Sequence, residues 1–151
     1  AWTAPPVAGY KHFTDTTRRT TGTDGVTLPI KIAQDWQSTL TLSGDDPTEV
    51  ITGYGILKTT EDRVPMVVQR RWTRQTAFVW AVSLDGTPIT LRAETVSDAN
   101  GTTLPKSEAV LARVNAGGQR WSLLANPEQR AVEVKRPECT AWRTDAAFAL
   151  P

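Results

Sequence analysis

The chain has one cysteine, one histidine and one methionine in 151 residues, and its 17 basic and 16 acidic residues leave a formal charge of only +1. Each scarcity excludes something. A lone Cys139 forms no internal disulfide, and with His12 as the sole imidazole there is no zinc site of the usual Cys/His kind, so no metal-ligating residue and no cofactor is assigned. A serine triad needs a base and an orienting partner that His12 alone does not provide. The near-zero net charge provides no global field toward nucleic acid or a membrane surface. No apolar run approaches the roughly 18 residues that span a bilayer, and the N-terminus lacks a charged and then apolar leader pattern. No glycine-rich phosphate loop is present: Gly53-Tyr54-Gly55 lies inside a strand-like run.

What is present has a period of two. Turn signals recur every eight to twelve residues, which points to an all-β fold, an antiparallel β-sandwich, over 9–151. Residues 1–8, with Ala4-Pro5-Pro6-Val7, read as a linker, as in a mature secreted chain or a piece cut from a longer one. Tyr10 to Phe13 opens the domain. Thr23-Asp24-Gly25 turns into an alternating strand from Val26, which Pro29 confines to a sheet edge. A strand from Trp36 to Leu42 follows, and then Glu49 to Ile56, where Gly53 and Gly55 suggest a bulge. Val64–Thr73 and Thr76–Leu84 are expected to pair as a central hairpin. Later strands are expected at 89–95, 108–114, 120–125, 131–135 and 140–150. The one stretch with some helical character, Lys106–Arg113, is short and flanked by β-branched residues.

Charge is segregated locally. Residues 45–62 hold Asp45, Asp46, Glu49, Glu61 and Asp62 against Lys58, whereas residues 63–92 hold five arginines against Asp85. The paired carboxylates Asp45/Asp46 and Glu61/Asp62 fall in turns, the commoner use of such residues, so an enzyme is not expected. Arg70, Arg71, Trp72 and Arg74 form the densest cluster. Guanidinium groups fork onto carboxylates and sulfates, and an indole face stacks on a pyranose ring. The ordinary alternative is that Trp72 caps the core and the arginines keep a strand soluble. Alternation puts Arg70 and Trp72 on one face and Arg71 on the other. Of the remaining tryptophans, Trp80 and Trp121 read as core, Trp36 stands near a sheet end, and Trp2 and Trp142 lie close to the termini.

The stretch Val64-Pro65-Met66-Val67-Val68-Gln69-Arg70-Arg71-Trp72, continuing through Ala77-Phe78-Val79-Trp80-Ala81-Val82, resembles the C-terminal β-sandwich of heparinase II/III-like and alginate-lyase-like polysaccharide lyases. Ser122-Leu123-Leu124-Ala125-Asn126-Pro127 is similar to the late Leu-Leu-x-Asn-Pro hairpin of that domain. The likeness spans residues 36 to 135, and its motifs are built from generic sheet residues. It implies a β-sandwich that follows a helical catalytic toroid. The toroid and its β-elimination residues have no counterpart here, so no catalytic residue is carried over. The expectation is a stand-alone carbohydrate-binding module for an acidic polysaccharide, a glycosaminoglycan or a uronan, secreted or periplasmic, without nucleic acid or membrane as partner. Its binding residues are Arg70, Arg71, Trp72 and Arg74, with Trp36 and Arg92 as additions. The alternative is a structural sandwich that packs on a catalytic domain and has no ligand of its own.

Overall fold

A computed structural model describes residues 12–23, 25–33, 36–59, 61–136 and 139–149. The expected linker at 1–8, with Trp2, lies outside these, as do the side chains of Trp36, Cys139 and Trp142. Thirteen strands run through the described residues: β1 (Thr14–Thr21), β2 (Val26–Ala33), β3 (Trp36–Leu42), β4 (Thr48–Gly55), β5 (Val64–Arg70), β6 (Trp80–Ser83), β7 (Ile89–Thr95), β8 (Ser97–Asp98), β9 (Val110–Ala116), β10 (Gln119–Ala125), β11 (Val132–Arg136), β12 (Cys139–Thr144) and β13 (Phe148–Ala149). No helix occurs among the described residues, and every strand pairing is antiparallel. The fold is all-β.

The chain divides into two compact units, one of Ala1–Gly22 with Asp46–Trp72, the other of Thr23–Asp45 with Thr73–Pro151. Among the described residues the first holds a single sheet, in the order β1-β4-β5. Its middle strand, β4, buries the adjacent Val50 and Ile51, whose side chains point to opposite faces. Fully burying an aliphatic side chain of this size contributes about 1.5–3 kcal/mol. The expected glycine bulge falls on the neighbouring strand. Thr14 pairs with Tyr54 and Thr17 with Thr52, so β1 carries one residue more than β4 there. Asp15 takes φ 51° at that point. Gly53 permits the close approach, because a Cβ on it would stand 2.7 Å from the Thr14 carbonyl oxygen.

The second unit holds the sheets β2-β3-β6, β13-β10-β9-β7 and β12-β11-β8. Its core joins the last two. Leu111 and Leu124 stand directly opposite each other on β9 and β10, and they pack with Val132 and Val134 of β11 and with Val96 and Leu104. The β9–β10 turn is Gly117-Gly118, both at positive φ, the two-residue type I′ form that matches strand twist. Asn126 is fully buried just after β10. Its amide donates to the Arg130 carbonyl at 2.8 Å and to the Ala146 carbonyl at 3.3 Å, and its oxygen accepts from the Arg130 N–H at 3.2 Å. Pro29 does lie in an edge strand, β2.

Three expectations are corrected. The hairpin of Val64–Thr73 with Thr76–Leu84 does not form: β5 pairs with β4, β6 pairs with β3, and the intervening Arg71–Val79 is too long for a tight turn. The terminal strand is two, β12 and β13, separated by Asp145–Ala147. Trp80 and Trp121 are not core residues but are substantially exposed.

Candidate functional site

The register of the first sheet assembles a charged cluster. Glu49 on β4 pairs with Thr20 on β1 and with Arg70 on β5, and Arg18, two residues before Thr20, projects from the same face. The Glu49 carboxylate is only 8% exposed. Arg70 donates Nε to Glu49 Oε2 at 2.5 Å and brings a second guanidinium nitrogen to the same oxygen. Arg18 Nε lies 2.5 Å from Glu49 Oε1. A carboxylate removed from water requires such charge-assisted partners on both oxygens. Two cations around one anion leave the cluster net positive.

Trp72 follows Arg70 on the same face and is 92% exposed. The Arg70 guanidinium carbon stands 6.0 Å from the centre of its ring, at the outer range of a cation–π contact. Arg71, by alternation, turns the other way. Its Nε donates to Thr48 Oγ at 2.6 Å and a terminal nitrogen to Asp46 Oδ2 at 3.4 Å, and its side chain is 4% exposed. Thr48 in turn donates its hydroxyl to the Asp46 carbonyl at 2.8 Å. Arg71 therefore braces the turn before β4.

The other sequence candidates lie elsewhere. Arg74 is an exposed residue of the second unit, in a bend where the Thr73 hydroxyl donates to the Gln75 carbonyl at 3.0 Å. Arg92 is exposed on β7, opposite Arg113 of β9. Trp36 heads β3, and its side chain is outside the described residues. Of the six predicted residues, the structure brings together Arg70 and Trp72 and sets Arg71 behind them. Arg18 was missed. The one signal for it was the Arg18-Arg19 pair within a run of threonines, a residue type that favours strands.

One carboxylate of each pair, Asp45 and Asp62, serves the backbone, while Asp46 faces Arg71. Asp45 Oδ2 accepts from the Ala93 N–H at 2.5 Å. The N–H groups of Thr59 and Lys58 hold the Asp62 carboxyl below its usual range. Asp85 is lowered to about 2 by the Thr87 N–H and the Ser83 hydroxyl. Asp62 and Asp85, both held below the ordinary carboxylate range, are ionised turn formers at neutral pH. No cluster of three or more His, Cys, Asp or Glu side chains suited to a metal ion occurs among the described residues. Comparison of the chain with family models, with curated proteins and with solved structures yields no match.

Proposed function

We propose that the chain is a non-catalytic module that binds an anionic polysaccharide, a glycosaminoglycan or a uronan, in extracellular space or periplasm. The observation that carries this reading is the indole of Trp72, 92% exposed and set beside a net-positive Arg18–Glu49–Arg70 cluster. A pyranose ring stacks on the open face of Trp72, and its acidic substituent meets the half-exposed guanidinium of Arg18. Arg70 links the two elements, holding Glu49 on one side and the indole on the other. Arg71 acts as a positioning residue. Affinity is modest and salt-sensitive, because exposed ion pairs contribute about 0–1 kcal/mol each and are screened at physiological ionic strength.

A glycan array that holds acidic and neutral polysaccharides, read at low and at high salt, tests this. Retention on uronans or sulfated glycans that falls with salt is expected. A flat response across charged and neutral glycans contradicts it.

A further inference from the structure

The second unit carries an unfinished layer. Sheet β2-β3-β6 ends at β6, and beside that end lies an apolar groove of about 730 Å³ lined by Phe78, Trp80, Ala112, Leu123 and Phe148. Trp80 stands opposite Leu42 and Val82 opposite Leu40, so both side chains point to the face that buries Leu42. They are nonetheless exposed, as are Leu123 and Phe148 across the groove.

Among the described residues the outer backbone edge of β6 is open as well. The Ser43 N–H donates to the Val79 carbonyl at 3.0 Å, which makes that pair a hydrogen-bonded one. By antiparallel alternation, Ala81 and Ser83 turn their polar groups toward β3, while Trp80 and Val82 turn theirs outward. The two edges of the sheet differ in kind. The far edge, β2, contains Pro29 and Lys31, residues that discourage further pairing. The sequence of β6, Trp-Ala-Val-Ser, has no such guard.

We infer that β6 pairs antiparallel with β6 of a second copy of this chain, forming a two-fold dimer through the second unit. This goes beyond the ligand reading of the first unit and is independent of it. With Ala81 facing the partner's Ala81, Trp80 pairs with the partner's Val82 and Val82 with the partner's Trp80, each pair exchanging both backbone hydrogen bonds. The short uncharged strand is thus complementary to itself. The added strand lies over the groove and covers the side chains that the layer leaves bare.

The area fits. Phe78, Trp80 and Phe148, which line the groove, are 42%, 61% and 77% exposed. At about 200 Å² for a whole aromatic residue, these three alone present roughly 360 Å². A standard interface buries about 800 Å² per partner, so the aromatics supply nearly half of what a stable dimer needs, and the exposed Val82 and Leu123 add to it.

Sedimentation equilibrium of the full chain at micromolar concentration, the weak end for an interface of this size, tests the inference. A mass twice 16.5 kDa is expected. Val82→Pro removes an outward N–H while sparing the Ala81 and Ser83 bonds to β3, so it is expected to sediment as a monomer with an unchanged far-ultraviolet spectrum. Because that variant also stiffens the strand, Ala81→Cys in a Cys139→Ser background gives a second readout. The two new thiols meet at a non-hydrogen-bonded pair about 4.5 Å apart at Cα, within disulfide reach. Mild oxidation is expected to yield a covalent dimer, and Arg120→Cys on β10 is not. A monomeric unmodified chain, a Val82→Pro dimer, or no Ala81→Cys cross-link each overturns the inference.

Discussion

Glu49 and Arg70 are directly opposed on neighbouring strands, with the guanidinium Nε donating to the carboxylate at 2.5 Å while Arg18 holds the other oxygen. The carboxylate both fastens β5 to β4 and partly neutralises the cations that face solvent. Glu49→Gln separates these roles. Hydrogen bonds to charged groups contribute about 1.5–3 kcal/mol, discounted here because Arg18 is half exposed, so a loss of about 1–2 kcal/mol is expected in urea unfolding. Binding of acidic polysaccharide is expected to tighten and its salt dependence to steepen. Weaker binding by this variant would contradict the roles assigned to Arg18 and Arg70.

Arg71 is enclosed, so its variant should behave in the opposite way. Arg71→Ala leaves Thr48 and Asp46 without their cation and is expected to destabilise the protein by about 1–3 kcal/mol. Glycan affinity, measured well below the unfolding transition, is expected to stay within twofold.

Asn126 ties the loop after β10 to Ala146 and Arg130 while fully buried. Asn126→Ala strands two carbonyls and an N–H, each costing about 1–3 kcal/mol when unsatisfied, so a total of at least about 3 kcal/mol is expected in denaturant unfolding. Asn126→Asp is expected to be at least as harmful, since a carboxylate then faces those carbonyls. The asparagine of the Leu-Leu-Ala-Asn-Pro run has this structural task.

Asp85 is held at about 2 against an ordinary 3.8 by the Thr87 N–H and the Ser83 hydroxyl. A depressed folded value means that its stabilising contribution is complete above the ordinary carboxylate range and is lost as pH falls toward 2. Carbon-detected NMR titration of the Asp85 carboxyl is expected to give a midpoint about 2. Asp85→Asn is expected to flatten the part of the acid-stability curve that lies between 2 and 4. A midpoint near 3.8 would contradict the geometry of this turn.

Much of the fold was legible because alternation is local. β3 starts and ends where the period-two pattern placed it, and β2, β7, β9 and β10 fall within a residue or two, with Gly117-Gly118 supplying a turn chemistry that sequence states directly. β1 was not legible. Thr14–Thr21 reads TDTTRRTT, with no apolar residue to reveal a buried face, and Arg18 was lost with it. Pairing was misjudged for a different reason. The partners of β5 and β6 are chosen by contacts distant in the chain, Glu49 with Arg70 and Leu42 with Trp80, and nearness in sequence suggested a hairpin instead. Trp80 and Trp121 looked like core because their strands are rich in apolar residues. Their exposure depends on what packs on each sheet face, which the pattern within a single strand does not state.

Calorimetric titration of an acidic uronan into the unmodified chain, Trp72→Ala and Arg18→Ala tests the central claim most directly. Ring stacking of about 0.5–1.5 kcal/mol corresponds to a two- to tenfold loss of affinity for Trp72→Ala, with Arg18→Ala also weakened and less sensitive to salt. Binding heat that is absent from the unmodified chain, or is the same in all three proteins, would contradict it.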